Sequence, residues 1–237
     1  KKFRPIASDK LPKPIALIAS FLLAALALNA ALKITVGFFL ISLLYLFLQL
    51  FYSLILKHIT VLDILTIASG YIVRVLAGEF ATGFHVTFWL LICVISVSLF
   101  LAIGKRRAEL TLLEKFPKNT RPALEHYSAP LLDAYLSMFA NSTWFSYALF
   151  TFLEPPIATR NHLFYYIEDF FPAGLTRKWL VITIPFVIYG LMRYTQLIFE
   201  KQEGESPEKV ILSDKPLLVT VIIWILIVIF LTYIVRG

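Results

Sequence analysis

The sequence predicts an all-α, polytopic membrane protein, and three observations carry that reading. Of the 237 residues, 59% are hydrophobic and the mean hydropathy is +0.80, more apolar surface than a water-soluble domain of this size needs. The apolar residues gather in seven stretches, at about 14–32, 35–56, 61–80, 86–104, 128–153, 179–199 and 216–235. Each has roughly the 17–25 residues that cross a bilayer as a helix. None shows the ten-residue alternation of a membrane β-barrel, and backbone groups in hydrocarbon must be satisfied locally, so the stretches are helices.

The first two stretches are joined by a turn of two or three residues around Lys33, which predicts a tight antiparallel hairpin. In the second, Tyr45, Gln49 and Tyr52 follow i, i+4, i+7 spacing and end just before Lys57. The third carries Asp63 and Arg74, whose eleven-residue separation returns to within about 20° of one face. They are nevertheless about 16 Å apart along the axis, too far to pair. Gly70 lies between them and leaves room for a neighbouring helix or a ligand, and Glu79 reads as interfacial. The fourth runs into Lys105, Arg106, Arg107 and Glu109, with Ser98, Ala102, Lys105 and Glu109 on one face. It is expected to continue as helix to Lys115 and to break at Phe116-Pro117.

The fifth stretch carries Asp133, Ser137, Asn141 and Trp144 at similar spacing. The connection 154–178, with Phe164-Tyr165-Tyr166 and Phe170-Phe171, reads as an interfacial anchor. In the sixth, Tyr189, Arg193, Gln196 and Glu200 form a stripe, and Pro185 is the one proline expected to break a span interior. Segment 200–215, rich in Glu and Lys, reads as a mobile loop. Several polar stripes widening toward one end imply a central cavity open on that side.

That side is set by charge. Alternating loops place sixteen cations on one side and five on the other, so the first side is cytoplasmic. The net charge of +7 also suits anionic lipid headgroups, and no feature points to nucleic acid. Single polar side chains in a span are usually interhelical glue worth about 0.6 kcal/mol. Asp63, Arg74 and the Lys105 to Glu109 cluster are costly in a bilayer and need a partner or a purpose. A dense cationic cluster at a helix mouth suits a di- or triphosphate-sized anion. The single cysteine, Cys93, reads as a small core residue, and His58, His85, His126 and His162 show no metal-ligand spacing.

Several motifs resemble those of the UbiA prenyltransferase superfamily. Lys1-Lys2-Phe3-Arg4-Pro5-Ile6-Ala7-Ser8 is similar to the end of its first signature, where an Asp-rich N-D-x-x-D-x-x-x-D stretch precedes H-P-x-K-x-x-R-P-I-A-S-G. Asp9 departs from that pattern, standing where the family has Gly. Tyr52 to Lys57 resembles its Y-x-x-x-x-K element. Leu62 to Ile64, Gly70 to Gly78, Gly104 to Leu110, Arg121 to Tyr127, Pro185 to Tyr194 and Asp214 to Leu217 are most similar to the decaprenyl-phosphate phosphoribosyltransferase branch.

The resemblance implies one transmembrane domain over 1–237 in which seven spans are present of an expected nine, the first two helices and the Asp-rich motif lying upstream of Lys1. Prenyltransferases of the superfamily carry a second Asp-rich motif where this chain has cations. That exchange implies a donor with more phosphate, held by cations in place of a second metal cluster. The implied reaction moves 5-phosphoribosyl from phosphoribosyl diphosphate to a decaprenyl-type polyprenyl phosphate and releases diphosphate, for synthesis of a cell-envelope arabinose donor. The implied setting is a bacterial inner membrane, with the site facing the cytoplasm and Mg²⁺ held by the upstream carboxylates.

Lys1, Arg4 and Lys57 would grip the diphosphate beside Tyr52. Lys105 and Arg106 would hold the 5-phosphate or the acceptor phosphate, and Glu109 would orient one of them or bind ribose hydroxyls. Asp63 is the candidate for a ribose hydroxyl or a metal-bound water. Arg74 is a candidate substrate contact or an organiser of the helix interface, and Arg193 fits either role. Three alternatives stay open: a UbiA-type enzyme acting on an aromatic acceptor, a transporter, and a piece that binds anions without turnover. A homo-oligomer is compatible with all of them.

Overall fold

The computed structural model describes residues 12–115, 124, 126–153, 179–200 and 207–234, and every regular element among them is helical. The chain is an all-α integral membrane protein, as its composition demands. The helices are α1 (Lys13–Ile34), α2 (Val36–Leu54), α3 (Leu62–Thr82), α4 (Phe88–Lys115), α5 (Ala129–Leu153), α6 (Ile184–Glu200), α7 (Pro207–Ser213) and α8 (Lys215–Ile229). Short 3₁₀ turns at Leu56–His58 and Trp179–Thr183 follow α2 and precede α6, and a π turn at Phe230–Ile234 extends α8.

Six of the seven expected spans are long and apolar enough to cross a membrane, α4 being the most enclosed. The seventh expected span, α5, is long enough at 25 residues. Asp133, Asn141 and a run of hydroxyl side chains make it less apolar than the others. Those hydroxyls turn back on their own helix: Ser137, Ser142, Thr143 and Ser146 each donate to a carbonyl four residues earlier. Their polarity is thereby satisfied without a neighbour.

Three local expectations change. Pro185 does not break a helix: it is the second residue of α6, in the first turn, where an amide hydrogen has no partner within the helix anyway. Segment 200–215 is not all loop, because α7 forms there and buries Val210. The α1–α2 turn shrinks to Thr35, whose extended backbone ends α1 and whose hydroxyl accepts the Phe38 amide at 3.0 Å. As expected, α4 runs unbroken from the apolar stretch to Lys115. The aromatic run of 164–171, together with Lys1, Arg4 and Arg121, lies outside the described residues.

The chain divides into two compact units, 1–51 with 73–85 and 52–72 with 86–237. In the first, Gly37 gives the ring of Phe80 its space: a Cβ there would fall 2.5 Å from Phe80 Cδ1. In the second, α4 packs along α5, and α6 packs on α4, α5 and α8. Ile64, Phe100, Ile103, Leu132, Leu136 and Leu197 are among its core residues. Gly104 sets the α4–α6 approach, since a Cβ would lie 2.8 Å from Ile198 Cδ1 and 3.2 Å from Tyr194 Cε1. The same unit has an open apolar cavity of about 360 Å³ walled by α4, α5, α6 and α8, with Cys93, Phe100, Tyr147 and Trp224 in its lining.

Candidate active site

In the second unit, the end of α2, the start of α3 and the polar end of α4 meet at one buried cation. Arg106 has 0% exposure. Its Nε pairs with Asp63 Oδ2, its Nη1 with Glu109 Oε2, and its Nη2 donates to the Tyr52 hydroxyl at 3.1 Å. Each edge of the guanidinium is therefore engaged, a division of labour that a planar fork permits and a point-charge ammonium does not. A charge this deep persists because it is paired with two carboxylates and its Nη1 and Nη2 are hydrogen-bonded.

Asp63, also at 0% exposure, stands in the first turn of α3, where the helix dipole favours a carboxylate. Its second oxygen accepts from the Tyr127 hydroxyl at 2.9 Å, and that hydroxyl accepts the Val61 amide at 2.6 Å. Burial raises the Tyr127 phenol well above the ordinary tyrosine range, and the Asp63 carboxylate adds to the effect. The Val61 amide and the Arg106 charge pull the other way without reversing it. The hydroxyl thus stays protonated and donates to Asp63.

Asp63, Tyr52, Arg106 and Glu109, all expected site residues, are brought together. Arg106 is surrounded by the Asp63 and Glu109 carboxylates and the Tyr52 hydroxyl. Asp63 faces the protein interior, where Arg106 and Tyr127 occupy its oxygens. Glu109 is the network's more open acid, with 14% of its side chain exposed against 1% for Asp63. Lys105 on α4 and Lys57 in the 3₁₀ turn after α2 are half-buried and hold no ion pair among the described residues.

The remaining candidates go elsewhere. Arg107 bonds Asp133 Oδ1 at 2.6 Å and lies 5.4 Å from the Phe199 ring centre, so this cation ties α4 to α5 and α6. Arg193 reaches Asp214 at 3.1 and 2.7 Å and Gln196 at 2.9 Å. Arg74 belongs to the first unit, where it bonds the Tyr45 hydroxyl and stands 5.1 Å from that ring's centre. It lines a cavity of about 540 Å³ there, together with Ser42, Ala24 and Ala77. Among the described residues no three His, Cys, Asp or Glu side chains cluster, and Asp63 and Glu109 both pair with Arg106. The sequence marks Tyr127 only as part of the family-like stretch Arg121 to Tyr127. Its partners lie 64 and 66 residues away, beyond the reach of any local pattern.

Comparison with known proteins places the chain among relatives. The model of the UbiA prenyltransferase family matches residues 1–108. A protein of Corynebacterium glutamicum named decaprenyl-phosphate phosphoribosyltransferase is 33% identical over 236 residues, covering 99% of this chain and 66% of its own. Proteins of the same name from Mycobacterium tuberculosis and Mycolicibacterium smegmatis are 31% and 32% identical over 226 residues, covering 95% of this chain and 68% of theirs. The chain thus spans about two thirds of the length of these curated relatives. At that identity over nearly every span, the conclusion is direct: the chain belongs to the UbiA prenyltransferase family.

Proposed function

We propose that the protein transfers a 5-phosphoribosyl group from phosphoribosyl diphosphate to a polyprenyl phosphate, for a cell-envelope precursor, at the cytoplasmic side of the inner membrane. The observation that carries this reading is the likeness, along 99% of the chain, to a protein named for that activity. The site's chemistry supports it. An oxygen of the lipid phosphate attacks C1 of ribose, the bond from C1 to the diphosphate oxygen breaks, and its electron pair leaves with diphosphate. The attacking phosphate is already anionic, so no strong base is needed. Catalysis then rests on alignment and on cations that meet the charge of the leaving group.

Lys57 and Lys105, half-buried cations without an acidic partner among the described residues, supply that charge. Glu109, held on one side by Arg106, presents its carboxylate to the ribose hydroxyls. Arg106 and Asp63 are positioning groups that keep Glu109 from collapsing onto the lysines. The apolar cavity of the second unit is suited to a segment of the polyprenyl chain.

The test uses membranes containing the full-length protein, labelled phosphoribosyl diphosphate and decaprenyl phosphate. Label should pass into the organic phase as diphosphate appears, and Lys105→Ala should lower the rate about 100-fold. Undiminished transfer by Lys105→Ala would remove that residue from the site. Prenylation of an aromatic acid from a prenyl diphosphate, with no phosphoribosyl transfer, would replace the whole reading.

A further inference from the structure

The backbone at residue 61 is where the site's geometry is stored. Val61 has φ of +70°, the only non-glycine residue with positive φ among those described. A β-branched side chain in the left-handed region is strained and persists only where its surroundings over-determine it, and such residues cluster at functional sites. The Val61 carbonyl accepts the Ile64 and Leu65 amides at 3.1 and 2.9 Å, and its own amide is held by one phenol. Tyr127, 5% exposed and entering from the segment before α5, accepts the Val61 amide at 2.6 Å and donates to Asp63 Oδ1 at 2.9 Å. The next links are the Asp63–Arg106 and Arg106–Glu109 ion pairs, and the last of these carboxylates is the most open.

We propose that Tyr127 is a positioning residue: its hydroxyl clamps the strained turn at Val61 and the Asp63 carboxylate, and through Arg106 fixes the direction in which Glu109 meets the ribose. This rests on the phosphoribosyl-transfer reading for its kinetic consequence, but not for the clamp. One hydroxyl does both jobs because it has one proton to give and lone pairs to receive. A phenylalanine would fill the same space and do neither. The arrangement also ties the residues just before α5 to the start of α3.

The experiment compares Tyr127→Phe, Val61→Gly and the double variant in full-length protein, by amide exchange at residues 61–63 and by transfer kinetics. Tyr127→Phe should speed exchange at Val61 and lower kcat about 10- to 100-fold, with KM for phosphoribosyl diphosphate little changed. Val61→Gly removes the strain that the clamp opposes, so the double variant should recover part of the lost kcat. Thr151→Val, which removes a comparably buried hydroxyl bonded to the Ala148 carbonyl and away from the apolar cavity, should leave kcat within about twofold. Unchanged exchange at 61–63 in Tyr127→Phe overturns the clamp, whatever the protein transfers. Faster exchange with unchanged kcat overturns the link to Glu109, and equal loss in Thr151→Val overturns its specificity. A wild-type protein with no phosphoribosyl transfer would refute the reaction while the exchange result still decides the clamp.

Discussion

Arg106→Leu is expected to abolish transfer and to destabilise the fold by about 3–5 kcal/mol, the cost of leaving buried charge unpaired. At about 2–4 °C per kcal/mol for a chain of this size, the unfolding midpoint in detergent should fall by about 10 °C. The magnitude follows from what remains. With the guanidinium gone, the carboxylates of Asp63 and Glu109 are left without their shared cation, and the Tyr52 hydroxyl loses a donor. At least one acid must then take up a proton or water must enter.

Two further substitutions separate charge from shape. Arg106→Lys keeps the cation but aims it in one direction, so it should restore part of the midpoint and little of the rate. Replacing Asp63, Arg106 and Glu109 together with leucine removes every unpaired charge. That variant should be closer to wild type in stability than Arg106→Leu, and inactive. If Arg106→Leu melts within about 2 °C of wild type, the network does not hold these three helices and its role in the site must be reassigned.

What could be read from the sequence divides by range. The spans were legible because hydrocarbon makes its demand on each stretch separately, through length and apolarity. The helical run of Lys105 to Lys115 was legible too, since no proline or glycine interrupts it until Pro117. The partners of the charges were not. Asp63 and Arg74 share a face of one helix, yet Asp63 turns to α4 while Arg74 meets Tyr45. Periodicity gives the face and not the neighbour.

The stripe of Tyr45, Gln49 and Tyr52 shows the same limit. Its first member bonds Arg74 and its last bonds Arg106, 54 residues further along the chain. Within the cluster at the mouth of α4, successive residues point about 100° apart. Three consecutive cations therefore have different fates: Lys105 half-buried, Arg106 enclosed, and Arg107 strapped to Asp133. A basic run read as one phosphate site was in part a set of interhelical ties.

The Arg193–Asp214 pair is such a tie, and removing it should cost nearly as much as removing Arg106. Asp214, 5% exposed, accepts from Arg193 Nε and Nη2 and also caps α8 by accepting the Leu217 amide at 3.0 Å. Asp214→Ala loses the cap, worth about 1 kcal/mol, and strands the partly buried Arg193 charge, for a total of about 3 kcal/mol. The unfolding midpoint should fall by about 6–12 °C. Asp214→Asn keeps an oxygen for the cap and loses the charge, so its loss should be smaller. Because this pair joins α6 to the start of α8 and touches none of Asp63, Arg106 or Glu109, kcat of the folded fraction should stay within about threefold in both variants. Arg193 was open to a role at the substrate, and the kinetics discriminate: a variant that melts like wild type yet fails to transfer would move Arg193 from the helix interface into the chemistry. A variant that melts early and turns over normally leaves it where its hydrogen bonds put it, as a strut between two spans.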